Sequence, residues 1–145
     1  MKRYQPSYSP PTLCVGERTI TCSADVAGAL IPLIGAEERE HFVVLALSAR
    51  SKVIEASVLS IGSHRACMVD PIIAMRWALT RKRPVTAIIV AHNHPSTDPT
   101  PSPEDVAVTR QIVEAGKLID IECLDHLIVG AAGRWVSLKE RGLGF

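Results

Sequence analysis

Two histidines and one aspartate in the middle of the chain have the residue types and the spacing of a metal site. His92 and His94 lie in the stretch AHNHP, and Asp105 follows a proline-rich loop. Residues 85–91, just before the histidines, are apolar and rich in β-branched side chains, which predicts a buried strand. Because side chains in a strand repeat every two residues, a strand that continues through His94 projects both imidazoles from one face.

Asp105 is predicted to lie in the first turn of a helix beside the end of that strand. Ser102 is a favourable N-cap and Pro103 suits the first turn, so Asp105 falls at the third helical position. It shares a helix face with Val108 and Ile112, which turns its carboxylate toward the core, where an unpaired charge is costly. Two interpretations stay open. One is a capping box of Ser102 and Asp105, and the other is a zinc site of two histidines and one carboxylate with a fourth position for water.

The wider sequence resembles a known family. The spacing of these residues is similar to the ligand pattern of the JAMM (MPN-plus) metalloproteases, which is His-x-His, seven residues, Ser, two residues and Asp. The RadC family is a narrower resemblance, carried by the segment PSPEDVAVTRQIVEAGKLIDIECLDHLIVG. The resemblance extends from about Ser23 to the C-terminus. It implies the JAMM/MPN architecture, which is similar in layout to cytidine deaminases, and a Zn²⁺ ion held by His92, His94 and Asp105. It also implies hydrolysis of a peptide or isopeptide amide.

Hydrolysis of this kind needs a carboxylate that carries protons between water and the leaving nitrogen. The candidate is Glu55, which lies in an otherwise apolar strand pattern. The RadC-like pattern places its glutamate near Ser57, two residues later. Residues 55 and 57 share a strand face, so a bulge or register shift would bring Glu55 to the metal. The alternative is a rim carboxylate without a catalytic role. Ser102 is expected to donate a hydrogen bond to the developing oxyanion.

Length and composition predict one folded domain with one core. The chain has 145 residues, of which 47% are hydrophobic and 21% charged. Residues 1–22 contain prolines and no sustained periodicity, which predicts a mobile N-terminal arm with a short strand near Thr19, and residues 23–145 form the domain. Within it we predict helices over 23–34, 70–83 and from 103 to Gly116, and strands over 41–47, 52–59, 85–94, 118–124, 127–129 and 135–138. This order implies an α/β fold with a mixed sheet flanked by helices.

Three further patterns have both a structural and a functional interpretation. In the helix over 70–83, Ile72, Met75 and Leu79 are predicted to form the buried stripe, which Ile73 and Trp77 widen. The cluster Arg81-Lys82-Arg83 either contacts nucleic acid or complements the helix dipole, and the dipole is favoured. The pair Asp125-His126 either orients a ligand histidine or is satisfied within the core, which is the commoner case.

Charge and cysteine usage limit the partners and the compartment. A net charge of +1 gives no overall electrostatic case for nucleic acid or an anionic membrane as the obligatory partner. No Cys-x-x-Cys pair, signal peptide or long apolar span occurs, which predicts a cytoplasmic protein with free thiols at Cys14, Cys22, Cys67 and Cys123.

The leading interpretation is a zinc metallopeptidase or isopeptidase that acts on an unknown protein or peptide. A non-catalytic module with weak DNA association is the alternative, because RadC-like proteins carry a DNA-repair label. A mononuclear iron site also uses two histidines and one carboxylate. A zinc nucleoside deaminase is disfavoured, since its His-x-Glu and Pro-Cys-x-x-Cys signature is absent from the sequence.

Overall fold

The computed structural model of the chain describes residues 10–62 and 69–145. The first nine residues of the predicted arm, and the link that contains His64 and Cys67, lie outside the described residues. In chain order, the helices and strands are α1 (Ser23–Ile34), β1 (His41–Leu47), β2 (Val53–Ile61), α2 (Pro71–Leu79), β3 (Ala87–His94), α3 (Pro103–Ile119), β4 (Glu122–Gly130) and β5 (Trp135–Ser137).

The strands form one mixed sheet in the order β2-β1-β3-β4-β5. β1 is antiparallel to β2 and to β3, β3 is parallel to β4, and β4 is antiparallel to β5. The predicted α/β fold with a mixed, helix-flanked sheet is therefore confirmed. β3 lies at the centre and is buried along its whole length up to His94, which explains why its sequence is an apolar run without polar alternation.

The two faces of the sheet carry separate layers of the core. α1 covers one face, where Val43 and Leu45 of β1 point. α2 and α3 cover the other face, which Phe42 and Val44 share with Ile88 and Val90 of β3. Since residues at even positions of β3 face α2 and α3, His92 and His94 project on that side as well. The sheet thus directs both histidines toward the helix that carries Asp105.

α2 differs from its prediction in length and in orientation. It ends at Leu79 and not near Arg83. Ile72 and Leu79 are 63% and 60% exposed and Ile73 is exposed as well, so Met75 and Trp77 are the residues of the predicted stripe that are buried. Ala74 and Ala78 complete the buried face in place of the isoleucines and Leu79. The indole of Trp77 buries more apolar area than an isoleucine does, and the small alanines beside it let the helix lie close to the sheet.

The predicted end of α3 and the predicted break in the following strand are both wrong. α3 continues past Gly116 to Ile119, and Asp120 caps it in the left-handed conformation. A Cβ on Gly116 would lie 2.3 Å from the Ile121 carbonyl oxygen, so glycine permits the close return of the chain and does not end the helix. β4 runs unbroken through Asp125-His126, with a register shift against β3 between Ile88 and Ile89.

Residues 10–22, the described part of the predicted arm, lie against the outer edge of β2. The Leu13 amide donates to the Ala56 carbonyl at 2.8 Å, and the Val58 amide donates to the Pro11 carbonyl at 3.0 Å. The strand predicted near Thr19 is a single bridge to Lys52. These bonds satisfy backbone groups that an edge strand would otherwise expose. No helix in the described part of the chain has the length and apolar character needed to cross a membrane.

Candidate metal centre

The structure brings His92, His94 and Asp105 together at the carboxyl end of β3. His92 Nε2 lies 3.2 Å from Asp105 Oδ1, and His94 Nε2 lies 3.4 Å from Asp105 Oδ2. The two Nε2 atoms are 3.0 Å apart. One donor atom from each residue therefore lies within 4.8 Å of the other two. This is a compact set of two nitrogens and one oxygen, formed by residues that alternate on a strand and begin a helix.

The capping box and the donor set use the same carboxylate. The Ser102 amide donates to Asp105 Oδ2 at 2.8 Å, and the Asp105 amide donates to Ser102 Oγ at 3.1 Å. A carboxylate accepts several hydrogen bonds, so the cap leaves lone pairs directed at the imidazoles. The two interpretations are compatible, because the cap holds the carboxylate in place. Burial opposes ionisation of Asp105, but hydrogen bonds that His92 and His94 donate when their rings are protonated outweigh it and hold the pKa of the carboxyl well below its usual value.

A tight turn after β3 orients His94. The Thr97 amide donates to the His94 carbonyl at 3.2 Å, and His94 Nδ1 lies 2.9 Å from the Asp98 carbonyl oxygen. That carbonyl can only accept, so Nδ1 carries the hydrogen, and in the neutral ring the lone pair is on Nε2, which faces the cluster. Gly130 at the end of β4 makes room for the turn, since a Cβ there would lie 2.8 Å from the Thr97 carbonyl oxygen.

His126 and Asp125 each take one of the two predicted roles: His126 orients a candidate ligand, and Asp125 is satisfied within the core. His126 Nε2 lies 2.8 Å from His92 Nδ1, so this side chain supports a candidate ligand. Burial and the neighbouring imidazole of His92 hold the pKa of His126 well below its usual value, which keeps the ring neutral. Asp125 is satisfied in the core, where its carboxylate accepts hydrogen bonds from the hydroxyls of Ser23 and Ser137.

Asn93, between the two histidines, holds the loop before β1. Its side chain is fully buried and points to the opposite face from its neighbours. Its Oδ1 accepts the His41 amide at 2.6 Å, and its Nδ2 donates to the carbonyls of Glu37 and Arg39 at 3.2 and 3.0 Å. The amide therefore fixes the residues on either side of Glu40, which holds Glu40 near the end of β3.

Glu40 is a site residue that our sequence reasoning missed. It lies two residues before Phe42, which pairs with His92. With His92 and Asp105 it lines a cavity of about 210 Å³. Burial lowers the pKa of His94, but the Asp105 carboxylate, the hydrogen bond to the Asp98 carbonyl and, most weakly, the Glu40 carboxylate raise it above its usual value. No periodic pattern points to this glutamate, since it belongs to a loop. Its position just before a buried strand was the available signal.

The structure places Glu55 apart from the three candidate ligands. Glu55 pairs with Ala46, which pairs with Ile88, four residues before His92 on β3. At about 3.3 Å per residue this separation is roughly 13 Å along the strand. Glu55 Oε1 accepts a hydrogen bond from Arg81 Nη1 at 2.7 Å. The sheet does contain bulges in this pair of strands, but they do not bring Glu55 to the end of β3.

Fold and site together define a class of protein: a mixed-sheet α/β domain with a His-x-His pair and an aspartate clustered at the end of its central strand. The chain belongs to the RadC-like JAB domain family, whose profile matches residues 20–143. The predicted family is therefore confirmed. The matched residues include the whole sheet and all three candidate ligands.

Proteins named UPF0758 resemble the chain over most of its length. It is 49% identical over 112 residues to one from Roseiflexus sp. (strain RS-1), covering 74% of this chain and 45% of that protein. It is 45% identical to one from Chloroflexus aurantiacus and 40% identical to one from Methanosarcina mazei, each over 126 residues that make up 87% of this chain and 54% of the relative. The chain spans about half the length of these curated relatives. Their names state no activity.

Proposed function

We propose that this chain is a zinc-dependent metallohydrolase that cleaves a peptide or isopeptide amide. The observation that carries the proposal is the convergence of donor atoms from His92, His94 and Asp105 beside a cavity of about 210 Å³. Catalytic zinc is typically held by three protein ligands of nitrogen and oxygen type. Membership of the RadC-like JAB family supports the proposal, because the metalloprotease ligand pattern lies inside the matched residues.

The donor set fits a divalent metal ion. Imidazole and carboxylate ligands suit zinc and iron, and His92, His94 and Asp105 would hold the ion. A bound zinc ion supplies Lewis-acid chemistry, since it polarises a carbonyl group and acidifies water. Each ligand is oriented by a hydrogen bond of its own, so the protein's contribution is a donor set that needs little rearrangement.

Glu40 is the proposed proton carrier. Amide hydrolysis requires a group that takes a proton from the attacking water and returns it to the leaving nitrogen. Glu40 lines the cavity that His92 and Asp105 also line, whereas the Glu55 carboxylate accepts a hydrogen bond from Arg81. Ser102 is the proposed donor to the developing oxyanion. Its Oγ accepts the Asp105 amide, and no described residue accepts its hydroxyl hydrogen.

Metal analysis and a cleavage screen test the proposal together. We expect purified protein to contain about one zinc per chain, and zinc-loaded protein to cleave a peptide or isopeptide substrate that an Asp105→Ala variant leaves intact. Zinc content unchanged in a His92→Ala/His94→Ala variant would contradict the metal site. Iron in place of zinc would support the mononuclear iron alternative. Zinc binding without any cleavage would support a non-catalytic module.

Weak association with nucleic acid is a second candidate function, favoured by a cationic cleft at the opposite end of the sheet. The cleft has a volume of about 270 Å³ and is lined by Glu17, Arg18, Thr19, Lys52, Val53 and Arg83. Binding of duplex DNA should weaken as salt rises, with a shallower dependence in a Lys52→Ala/Arg83→Ala variant because fewer phosphates are neutralised. An unchanged salt dependence in that variant would contradict this candidate.

A further inference from the structure

The two imidazoles of the candidate metal centre are oriented in different ways. His94 Nδ1 faces a backbone carbonyl, that of Asp98, which can only accept a hydrogen bond. His92 Nδ1 instead lies 2.8 Å from another ring nitrogen, Nε2 of His126. In a neutral imidazole one nitrogen donates and the other accepts. The tautomer of His92 therefore depends on the tautomer of His126.

Thr109 determines which nitrogen of His126 carries the hydrogen. Thr109 Oγ1 donates to the Asp105 carbonyl at 2.6 Å and lies 2.5 Å from His126 Nδ1. A hydroxyl has a single hydrogen, so toward His126 the Thr109 oxygen must accept, and Nδ1 of His126 must donate. Nε2 of neutral His126 then accepts the hydrogen of His92 Nδ1. The lone pair of His92 is left on Nε2, which faces His94 and Asp105.

This chain of hydrogen bonds is closed to solvent. Thr109 and His126 are fully buried, and His92 is 3% exposed. Gly144 packs over Thr109, since a Cβ on that glycine would lie 3.0 Å from Thr109 Cβ. Buried polar groups must find their partners within the protein, so water cannot easily replace the hydroxyl as the acceptor for His126.

We propose that Thr109 is a positioning residue that acts through His126 to fix the tautomer of His92 that presents Nε2 to a metal ion. The inference rests on the metal site of the proposed function and extends it to two residues that are not ligands. Partners of this kind fix the ring orientation and raise the basicity of a ligating histidine.

Thr109→Val tests the proposal because it keeps the shape of the side chain and removes the acceptor. His126 Nδ1–H then loses its partner, so the ring is expected to carry its hydrogen on Nε2 and donate it to His92 Nδ1. The hydrogen of His92 moves to Nε2, where it opposes metal binding. We expect Zn²⁺ affinity, measured by competition with a chelator, to fall about 10–100-fold. Thr109→Ser retains the hydroxyl and should retain the affinity.

Thr80→Val is the matched control for the loss of a hydrogen bond from a threonine hydroxyl to a backbone carbonyl of the preceding helical turn. Thr80 Oγ1 also donates to a carbonyl one turn earlier, that of Arg76 at 3.0 Å, but it is exposed at the end of α2. The zinc affinity of the Thr80→Val variant should equal that of the wild type. Equal affinities for wild type and Thr109→Val would overturn the proposal, as would an equal loss in Thr80→Val and Thr109→Val.

Long-range ¹H–¹⁵N correlation spectra of metal-free protein report the tautomers directly. We expect His92 and His126 to carry their hydrogens on Nδ1 in wild type and Thr109→Ser, and His92 to carry it on Nε2 in Thr109→Val. A wild-type spectrum with the His126 hydrogen on Nε2 would overturn the proposal. The spectra need no metal and, for wild type, no substitution. They therefore decide the inference if Thr109→Val fails to fold, or if wild type binds no zinc and the proposed function fails.

Discussion

Two half-buried carboxylates on the same side of the sheet, Asp105 and Glu55, have partners of opposite kinds. Asp105 faces the imidazoles of His92 and His94, and Glu55 faces the guanidinium of Arg81. A guanidinium is permanently charged and has no lone pair, so the Glu55–Arg81 pair is complete by itself. A neutral imidazole offers a lone pair, so the Asp105 cluster can accept a cation. The kind of partner therefore distinguishes a structural ion pair from a candidate metal site.

The residues around the two carboxylates also differ, as expected for an ion pair at Glu55 and a candidate metal site at Asp105. Arg81 is held by more than Glu55, because its Nε donates to the Trp77 carbonyl at 2.9 Å and its guanidinium lies 4.4 Å from the centre of the Trp77 ring. This arrangement fastens the end of α2 to β2. The Asp105 cluster instead borders a cavity that Glu40 also lines. Substitutions at the two places should therefore affect different properties of the protein.

Asp105→Asn should have the largest effect, because it keeps the size of the side chain and removes the charge that a cation requires. We expect the zinc content to fall from about one per chain to near zero, with loss of any cleavage activity. Glu55→Gln is the matched control and should retain zinc. Elemental analysis after dialysis measures both. Loss of zinc in Glu55→Gln with retention in Asp105→Asn would show that Glu55 and not Asp105 holds the ion.

Glu40→Gln should have the next largest effect. It preserves shape but removes basicity, so zinc should stay bound while the rate of cleavage falls about 10²–10⁴-fold, the usual contribution of a positioned general acid or base. Glu55→Gln should leave the rate unchanged. The opposite result, a slow Glu55→Gln and a normal Glu40→Gln, would restore the role that the sequence pattern predicted for Glu55. Steady-state rates on a substrate from the screen decide between them.

The convergence of the ligands could be predicted because it follows from periodicity. An apolar run predicts β3, alternation places His92 and His94 on one face, and an N-cap signal begins α3. The mixed, helix-flanked sheet follows from the order of the predicted helices and strands. These features depend on residues that are close together in sequence, so one chain suffices to find them.

The position of Glu40 and the orientation of α2 depend on contacts between distant segments. Glu40 is brought to the site by a loop that Asn93 holds from a central strand, and no local pattern links the two residues. α2 is apolar on most of its circumference, so its periodicity is compatible with several buried faces. Packing of Trp77 selects one of them. Such choices are made by tertiary structure and not by the segment itself.

Arg81→Ala should affect stability and not metal binding. The variant removes the ion pair with Glu55 and the stacking on Trp77, and we expect the free energy of unfolding to fall by about 1 kcal/mol, since the pair is partly exposed. Denaturant titration measures the change. Glu55→Gln, which removes the charge of the partner, should cost less. Zinc content should equal that of wild type in both variants. A change in zinc content would mean that the two regions are coupled.

Removal of the metal should have the smallest effect on the fold. The core layers on both faces of the sheet are apolar and well buried without the candidate ligands, so burial of those surfaces does not depend on an ion. We expect chelation to leave the far-ultraviolet circular dichroism unchanged. It should lower the melting temperature, because an ion that binds only the folded state stabilises it by mass action. Asp105→Asn, the control, should melt at the same temperature with and without zinc. Unfolding on chelation would mean that the metal centre is structural. Asp105 and Glu55 would then both stabilise the fold, one through a metal ion and the other through an ion pair.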